Sequence, residues 1–570
     1  MMELRGIAAS AGVGVGTALR VVPADLDYSH VSSAGAEAEQ ARLTAAVAAF
    51  TEKTRDLADA AREKAGEHQA EILEGQLIML SDPFLQGQLA EKLSGGACAE
   101  RAVDEVCQSF IDMFTATGDE LMAQRATDVG DLRARLLALL LGREEADLAH
   151  LPAGTVLVVR DLTPSMATAL DAAHAAGIVA ETGGVTSHSA ILARAMELPA
   201  VLSVPGALDA IADGDALVVD GDKGLVLVKP EAGLLKEYEA KRARQLADRA
   251  ALGQFRGRPT RTADGKAVQL YGNIGSVADA QAVAEATGEG VGLFRTEFLF
   301  MDRSALPTEA EQFEAYKAAA QLFPAGEVII RTLDVGGDKD IPYLGLTKEE
   351  NPFLGFRAVR YCLDRRELFL TQLRALLRAS AFGPVKIMLP LVTRLTELRQ
   401  ARALLEVAKG DLDREGIAYN KDIPLGIMVE TPAAVLMADA LAREAGFFSI
   451  GTNDLTQYTM VADRGNPQVA AIGSPFDPAV LRAVRQVIAA GHAGGIPVGM
   501  CGEAAADPRL IPVLLSFGLD EFSVGGSSIL AARREIARWG KVDADWVAAG
   551  AMELETEEEV RAALEESIRP

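Results

Sequence analysis

Eight times between residues 268 and 524 the chain repeats one pattern, a short apolar run followed by a helical stretch, and six of the runs carry a polar residue at or just past their end. The runs are Val268–Ile274, Val291–Thr296, Val328–Leu333, Lys386–Leu391, Leu425–Glu430, Phe447–Gly451, Pro497–Cys501 and Glu521–Val524. Helical segments such as Glu309–Leu322, Arg365–Ala379, Leu395–Ala408 and Val480–Ala493 separate them. Near-continuous apolar runs of this length suit strands of a parallel sheet buried on both faces. Eight such units in roughly 300 residues predict a closed (β/α)8 TIM barrel. A barrel of this kind collects the C-terminal ends of its strands on one face, where its chemistry is done. The polar residues brought there are Asn273, Arg295, Arg331, Glu430, Asn453 with Asp454, and Cys501.

Those side chains have a common chemical theme. Arg295, Arg331 and Arg464 offer guanidinium forks suited to carboxylate and phosphate oxygens. Glu430 and Asp454, on neighbouring strands, offer two hard oxygen ligands of the kind that hold Mg²⁺, with water and substrate oxygens completing the shell. Asn453 can orient a phosphate. Cys501 is the only thiol at a strand end, and the residues alone leave it as either a small buried hydrophobe or a general acid. A small molecule carrying both phosphate and carboxylate fits this inventory.

Upstream of the barrel the texture differs. Residues 1–20 read as strand-turn-strand. After Pro152 an α/β pattern begins with Gly154–Val159, followed by a helix near Ala167–Ala176 and strands at Gly177–Ala180, Ala200–Leu202, Ala216–Asp220 and Leu225–Val228. Between them lies an Ala-, Leu- and Glu-rich all-α stretch, with 23 Asp/Glu against 11 Lys/Arg in residues 21–145. Such a surface is either merely solvated or a dock for a basic partner. Residues 1–20 and 146–230 are therefore expected to form one α/β domain, interrupted by a helical insert at 21–145. A charged linker helix follows at 231–258, and the barrel at 259–570.

Within the second half of the α/β domain, Gly183-Gly184 precedes Val185-Thr186-Ser187-His188-Ser189, then a helix of Ala, Ile, Leu and Met ended by Pro199. Thr186 or Ser187 can cap that helix, which puts His188 in its first turn. There the dipole keeps imidazole neutral and welcomes an anion. A neutral imidazole is a nucleophile, and a phosphoryl group on it would meet the free N–H donors. A capping histidine without chemistry is the other reading.

Composition narrows the partners. A net charge of −25 argues against nucleic acid or an anionic membrane. Four scattered cysteines, Cys98, Cys107, Cys362 and Cys501, suggest a reducing compartment. No apolar run reaches the ~18–20 residues of a membrane span and Met1–Arg5 opens no signal peptide, so the protein is expected in the cytoplasm.

The stretch around His188 resembles the phosphohistidine signature of the phosphoenolpyruvate-utilising enzymes. The resemblance extends through Gly292–Met301, Asp334–Lys339, Asn351–Gly355, Ile427–Pro432, Gly451–Tyr458 and Gly499–Glu503. With the size of the helical insert, it points to the enzyme I family of the sugar phosphotransferase system. That resemblance implies a swivelling phosphohistidine domain and a phosphoenolpyruvate-binding barrel that dimerises. It implies that His188 is the phosphoryl acceptor and Cys501 the proton donor. Arg295, Arg331, Asn453 and Arg464 would hold phosphoenolpyruvate, and Glu430 and Asp454 would hold Mg²⁺. The insert would bind the carrier protein HPr, and pyruvate would be released. The rivals are a dikinase or synthase that also charges a histidine, and a non-catalytic carrier-binding regulator. Val185, Ala167 (beside Thr168) and Gln76 depart from the family pattern, which often has Arg, Thr and His there.

Overall fold

The computed structural model describes residues 1–570 except 23–34, 66, 117–119, 144–145, 185–186, 302, 304, 337–340, 467 and 569–570; for 63–65, 67–69, 120–121, 123–124, 188, 195, 249 and 342 it describes the backbone. The chain forms two compact units, Met1–Ala250 and Ala251–Pro570.

The sheet of the first unit draws on both ends of its segment. Its strands are β1 (Met2–Arg5), β2 (Ile7–Ser10), β3 (Val13–Val21), β4 (Thr155–Val159), β5 (Ala175–Ala180), β6 (Ala200–Leu202), β7 (Ala216–Asp220) and β8 (Leu225–Val228), in the order β1-β8-β7-β3-β4-β5-β6-β2. Strands β3 to β6 run parallel. Every residue of β4 is buried, as its unbroken Thr-Val-Leu-Val-Val run requires.

Helices α1 (Ala36–Ala65), α2 (Glu67–Leu80), α3 (Pro83–Ser94), α4 (Ala99–Ala116) and α5 (Glu120–Leu140) lie between β3 and β4. They close on a core of their own that includes Leu43, Phe50, Leu89, Val103 and Leu132. The helix predicted near Ala167–Ala176 is instead α6 (Pro164–Ala169), and β5 already begins at Ala175. Thr163 caps α6 early, accepting from the Met166 N–H at 3.3 Å, and Leu170 turns extended. The Asp171 side chain then takes the Ala173 N–H at 3.2 Å and holds the turn.

A buried polar network ties the inserted helices to α6. Asp131 accepts from Gln76 at 2.9 Å and from Ser165 at 2.6 Å. Arg135 donates to Gln76 Oε1 at 3.2 Å and to Thr54 at 2.9 Å, with its guanidinium 4.6 Å from the Phe50 ring centre. Gln76 is wholly buried. Its departure from the family pattern therefore alters the interior of the insert rather than its surface.

The second unit is a closed parallel barrel of β9 (Gln269–Ile274), β10 (Val291–Arg295), β11 (Val328–Arg331), β12 (Val385–Leu389), β13 (Leu425–Val429), β14 (Phe448–Ile450), β15 (Val498–Met500) and β16 (Glu521–Gly525). Strand β16 pairs back onto β9 and closes it. All eight predicted strands are present within two residues at either end, and the polar end residues fall at or just beyond them. The helix predicted over Leu395–Ala408 continues to Glu415. It stops where Gly416 adopts φ of 70°, a left-handed cap that glycine takes without strain.

Candidate active site

The strand ends of the barrel converge on a chain of buried charges. Arg331, the last residue of β11, reaches Glu297 Oε2 and Asp334 Oδ2, both at 3.1 Å. It also lies 3.8 Å from the Met428 sulfur. Burial alone would weaken its proton affinity, but Glu297, Asp334 and Glu430 outweigh that and keep the guanidinium firmly charged. Arg357 donates to Asp334 Oδ1 from Nε at 3.0 Å and Nη2 at 2.8 Å, and stands 3.8 Å from Asp454 Oδ2. Arg331 Nε and Arg357 Nη1 are buried and have no hydrogen-bond partner among the described residues. Two orphaned cationic donors at the mouth of a barrel suit an anionic oxygen-rich ligand.

Glu430 follows β13 directly. Its Oε1 accepts from the Leu391 N–H at 2.6 Å, and Leu391 takes a left-handed φ of 53°. Its Oε2 faces Gly451, where a Cβ would come within 2.8 Å. Gly451 caps the helix Thr452–Met460, whose first turn carries Asn453 and Asp454. Burial, with Asp454 and Asp334 nearby, holds the Glu430 carboxyl well above the usual carboxylate range, against the pull of Arg331 and the Leu391 N–H. Asp454 is paired to Arg464 at 3.1 Å. A divalent cation between two such buried, mutually repelling carboxylates would relieve the repulsion, so the donor set fits Mg²⁺. Among the described residues no cluster of three or more His, Cys, Asp or Glu has metal-binding geometry.

Arg295, at the end of β10, is exposed and stacks on Phe298 at 5.8 Å. Asn453 Oδ1 accepts from the Glu503 N–H at 3.1 Å. Cys501 follows β15, and burial pushes its thiol up to about 12. It packs inside the barrel with Leu293, Ile329, Met388 and Met428. Asn273 Nδ2 donates to the Cys501 carbonyl at 3.0 Å and fixes that backbone. The barrel thus gathers the predicted Arg331, Glu430, Asp454 and Cys501, with Arg464 held on Asp454 and Arg295 at the rim.

Sequence reasoning passed over Arg357, Glu297 and Asp334 as site residues. Glu297 and Asp334 lie inside the Gly292–Met301 and Asp334–Lys339 motifs, and Arg357 sits two residues past Asn351–Gly355. An arginine beside a strongly patterned motif was the available signal. Residues 337–339 of the second motif lie outside the described residues.

In the first unit, Gly183 adopts φ of 104° and turns β5 toward α7 (His188–Ala195). Ser187 is the cap, its hydroxyl accepting from the Ala190 N–H at 3.3 Å and donating to the Gly184 carbonyl at 2.8 Å. Ser189 donates to Asp161 at 2.6 Å and anchors the first turn. The His188 backbone is therefore at the first helical position; its side chain, Val185 and Thr186 lie outside the description. Thr168 donates back to the Pro164 carbonyl at 2.9 Å and is spent within α6, so it does not stand in for the hydroxyl that Ala167 lacks.

Three family models describe this arrangement in pieces: PEP-utilising enzyme, N-terminal, over residues 5–125; the mobile domain over 151–224; and the PEP-binding domain over 249–540. The chain has the three domains of a PEP-utilising enzyme. Phosphoenolpyruvate-protein phosphotransferase from Geobacillus stearothermophilus is 46% identical over 558 residues, 98% of this chain and 96% of that protein. The namesake from Bacillus subtilis is 43% identical over 570 residues and the whole of both chains. That from Staphylococcus carnosus is 43% identical over 99% of each. This chain belongs to the phosphoenolpyruvate-protein phosphotransferase family of enzymes. The relatives favour that activity over a dikinase-type one.

Proposed function

We propose that this enzyme moves the phosphoryl group of phosphoenolpyruvate onto its own His188 and then onto a histidine of the carrier HPr, releasing pyruvate. The observation that carries the reading of the site is the pair of orphaned guanidinium donors on Arg331 and Arg357 beside the Glu430–Asp454 carboxylates. Arg295, Arg331, Asn453 and Arg464 bind the phosphate and carboxylate of phosphoenolpyruvate. Glu430 and Asp454 would hold Mg²⁺, which when bound would supply positive charge beside the transferring group. His188 attacks phosphorus in line, with the arginines fixed where negative charge accumulates. Cys501 then protonates C3 of the enolpyruvate.

His188 and the barrel mouth belong to different compact units, so turnover includes a domain motion, with the linker at 231–258 as its hinge. In this scheme residues 1–20 and 146–230 form the phosphohistidine domain, 21–145 the carrier-binding insert, and 259–570 the barrel that also dimerises. The insert's acidic balance and its exposed Ile78, Phe84 and Met113 support docking of a basic carrier. No helix among the described residues is long and apolar enough to cross a membrane. We place the enzyme in the cytoplasm.

Incubation with phosphate-labelled phosphoenolpyruvate, Mg²⁺ and HPr tests the whole scheme. Label should pass to HPr only when all three are present with the enzyme. Label reaching the enzyme but no carrier would remove the second transfer.

A further inference from the structure

Beneath Cys501 the barrel holds a carboxyl group that the scheme above does not use. Glu521 opens β16 and is buried at 6% exposure. Its carboxyl lies across the barrel interior in space made by two glycines: a Cβ at Gly292 would overlap Oε1, and one at Gly499 would overlap Oε2. Glu521 Oε1 has no hydrogen-bond partner among the described residues. The Ser449 hydroxyl, also buried, likewise has none by ordinary geometry, although it sits close enough to the Cys501 thiol to ease its rise. Register connects the three groups. Ser449 pairs with Gly499, and Gly499 with Glu521, across β14, β15 and β16. Cys501 is two residues beyond Gly499 along the same strand direction, about 6–7 Å nearer the mouth. Buried polar atoms are nearly always satisfied, so an unpartnered hydroxyl and an unpartnered carboxyl oxygen on the two strands that flank Gly499 need an explanation.

The groups facing Glu521 come from several strands. Lys386 on β12 favours its ionised form, whereas Glu327 before β11 and Asp520 before β16 oppose it. Tyr271 on β9 is held neutral by burial and by Glu327 and Glu521. Lys386 and Glu327, paired at 2.6 Å, are partly exposed near the start of β12 and just before β11, at the barrel end opposite the mouth.

We propose that Glu521 resupplies the proton that Cys501 gives up in each turnover, passing it through the Ser449 hydroxyl. The inference rests on Cys501 being the proton donor. In the chemical step the Cys501 S–H bond breaks, its proton joins C3 of enolpyruvate, and the electron pair stays on sulfur. The Ser449 hydroxyl bonds neither group in the resting structure, so the step includes a side-chain rotation: the Glu521 carboxyl, lying over Gly499 beside Ser449 in register, turns to give its proton to the hydroxyl oxygen as the thiolate takes the hydroxyl proton. The Glu521 carboxylate recovers a proton from water at the Lys386–Glu327 end. Each transfer is a proton exchange, and the sum adds one solvent proton to one enolpyruvate. Burial raises the Glu521 carboxyl to about 8, below the thiol's value of about 12, so the transfer to the thiolate runs downhill. A supply from the barrel floor serves a thiol whose mouth side is covered by substrate.

The test follows pyruvate by rapid quench, using full-length enzyme, phosphoenolpyruvate, Mg²⁺ and excess HPr. Glu521→Gln should release a first pyruvate per chain at the wild-type rate, because its thiol starts protonated. Later turnovers should slow by roughly 10²-fold, as for loss of an acid. Ser449→Ala, which removes only an unpartnered hydroxyl, should show the same burst and slow phase, and it carries the test if Glu521→Gln does not fold. Wild-type steady turnover in the folded variants would overturn the relay, and so would equal slowing of first and later turnovers, the mark of a merely structural defect. Cys501→Ala separates the two claims: it should lose the fast first turnover. If it keeps that turnover, the donor assignment falls and the relay with it; if it loses it while E521Q and S449A turn over normally, the relay alone falls.

Discussion

Arg331 and Arg357 grip opposite oxygens of one carboxylate: Arg331 meets Asp334 Oδ2 at 3.1 Å, and Arg357 meets Oδ1 at 2.8 and 3.0 Å. Each guanidinium is thereby fixed with one buried nitrogen that has no hydrogen-bond partner among the described residues. The site holds its cations rigid before substrate arrives, which is what electrostatic stabilisation of a transferring phosphoryl group needs.

Arg357→Ala should therefore cost charging by phosphoenolpyruvate while sparing phosphoryl exchange between phospho-HPr and His188, which does not involve the barrel mouth. Removing one partner of a buried ion pair also costs about 3–5 kcal/mol of stability, and denaturant titration of the barrel transition should register it. Arg357→Lys should recover part of the stability but little of the charging, because an ammonium cannot reproduce the two-point grip. Unchanged charging in Arg357→Ala would remove it from the site.

Glu430→Gln and Asp454→Asn should likewise impair charging far more than exchange with the carrier. For both variants the Mg²⁺ concentration giving half-maximal charging should rise at least tenfold over wild type, whereas loss of a purely structural contact would leave that midpoint unchanged.

Much of this was legible before any coordinates. The apolar runs of the barrel strands fixed eight parallel strands to within two residues, since burial on both faces leaves no alternation to blur. The strand-end positions then delivered Arg331, Glu430, Asp454 and Cys501. Three things were not legible. Arg357 lies on no strand end, and only folding brings it onto Asp334. Gln76 was visible only as a departure from the family pattern, and its burial against Asp131 and Arg135 emerges only on folding. The α6 boundary was lost because Thr163 caps the helix at Pro164, and the Asp171 side chain takes the Ala173 N–H that a longer helix would use.

Glu521 gives a pH test that needs no substrate. Its folded value of about 8 stands above the ordinary 4.5, so the native state binds the extra proton. The stabilisation is complete below about pH 4.5 and is lost as pH rises toward 8. Glu521→Gln lacks this slope. Wild type should lose stability relative to the variant between pH 5 and pH 8, measured by denaturant midpoints at matched ionic strength. A pH-independent difference would show that Glu521 is already ionised in the folded barrel.

The central claim is that the phosphoryl group rests on His188. Intact-mass measurement after treatment with phosphoenolpyruvate and Mg²⁺, without carrier, should show one added phosphoryl group per wild-type chain and none on His188→Ala. The adduct should be lost in mild acid, as a phosphoramidate is, and peptide mapping should place it on the segment containing Ser187-His188-Ser189. An adduct that persists on His188→Ala would contradict the account.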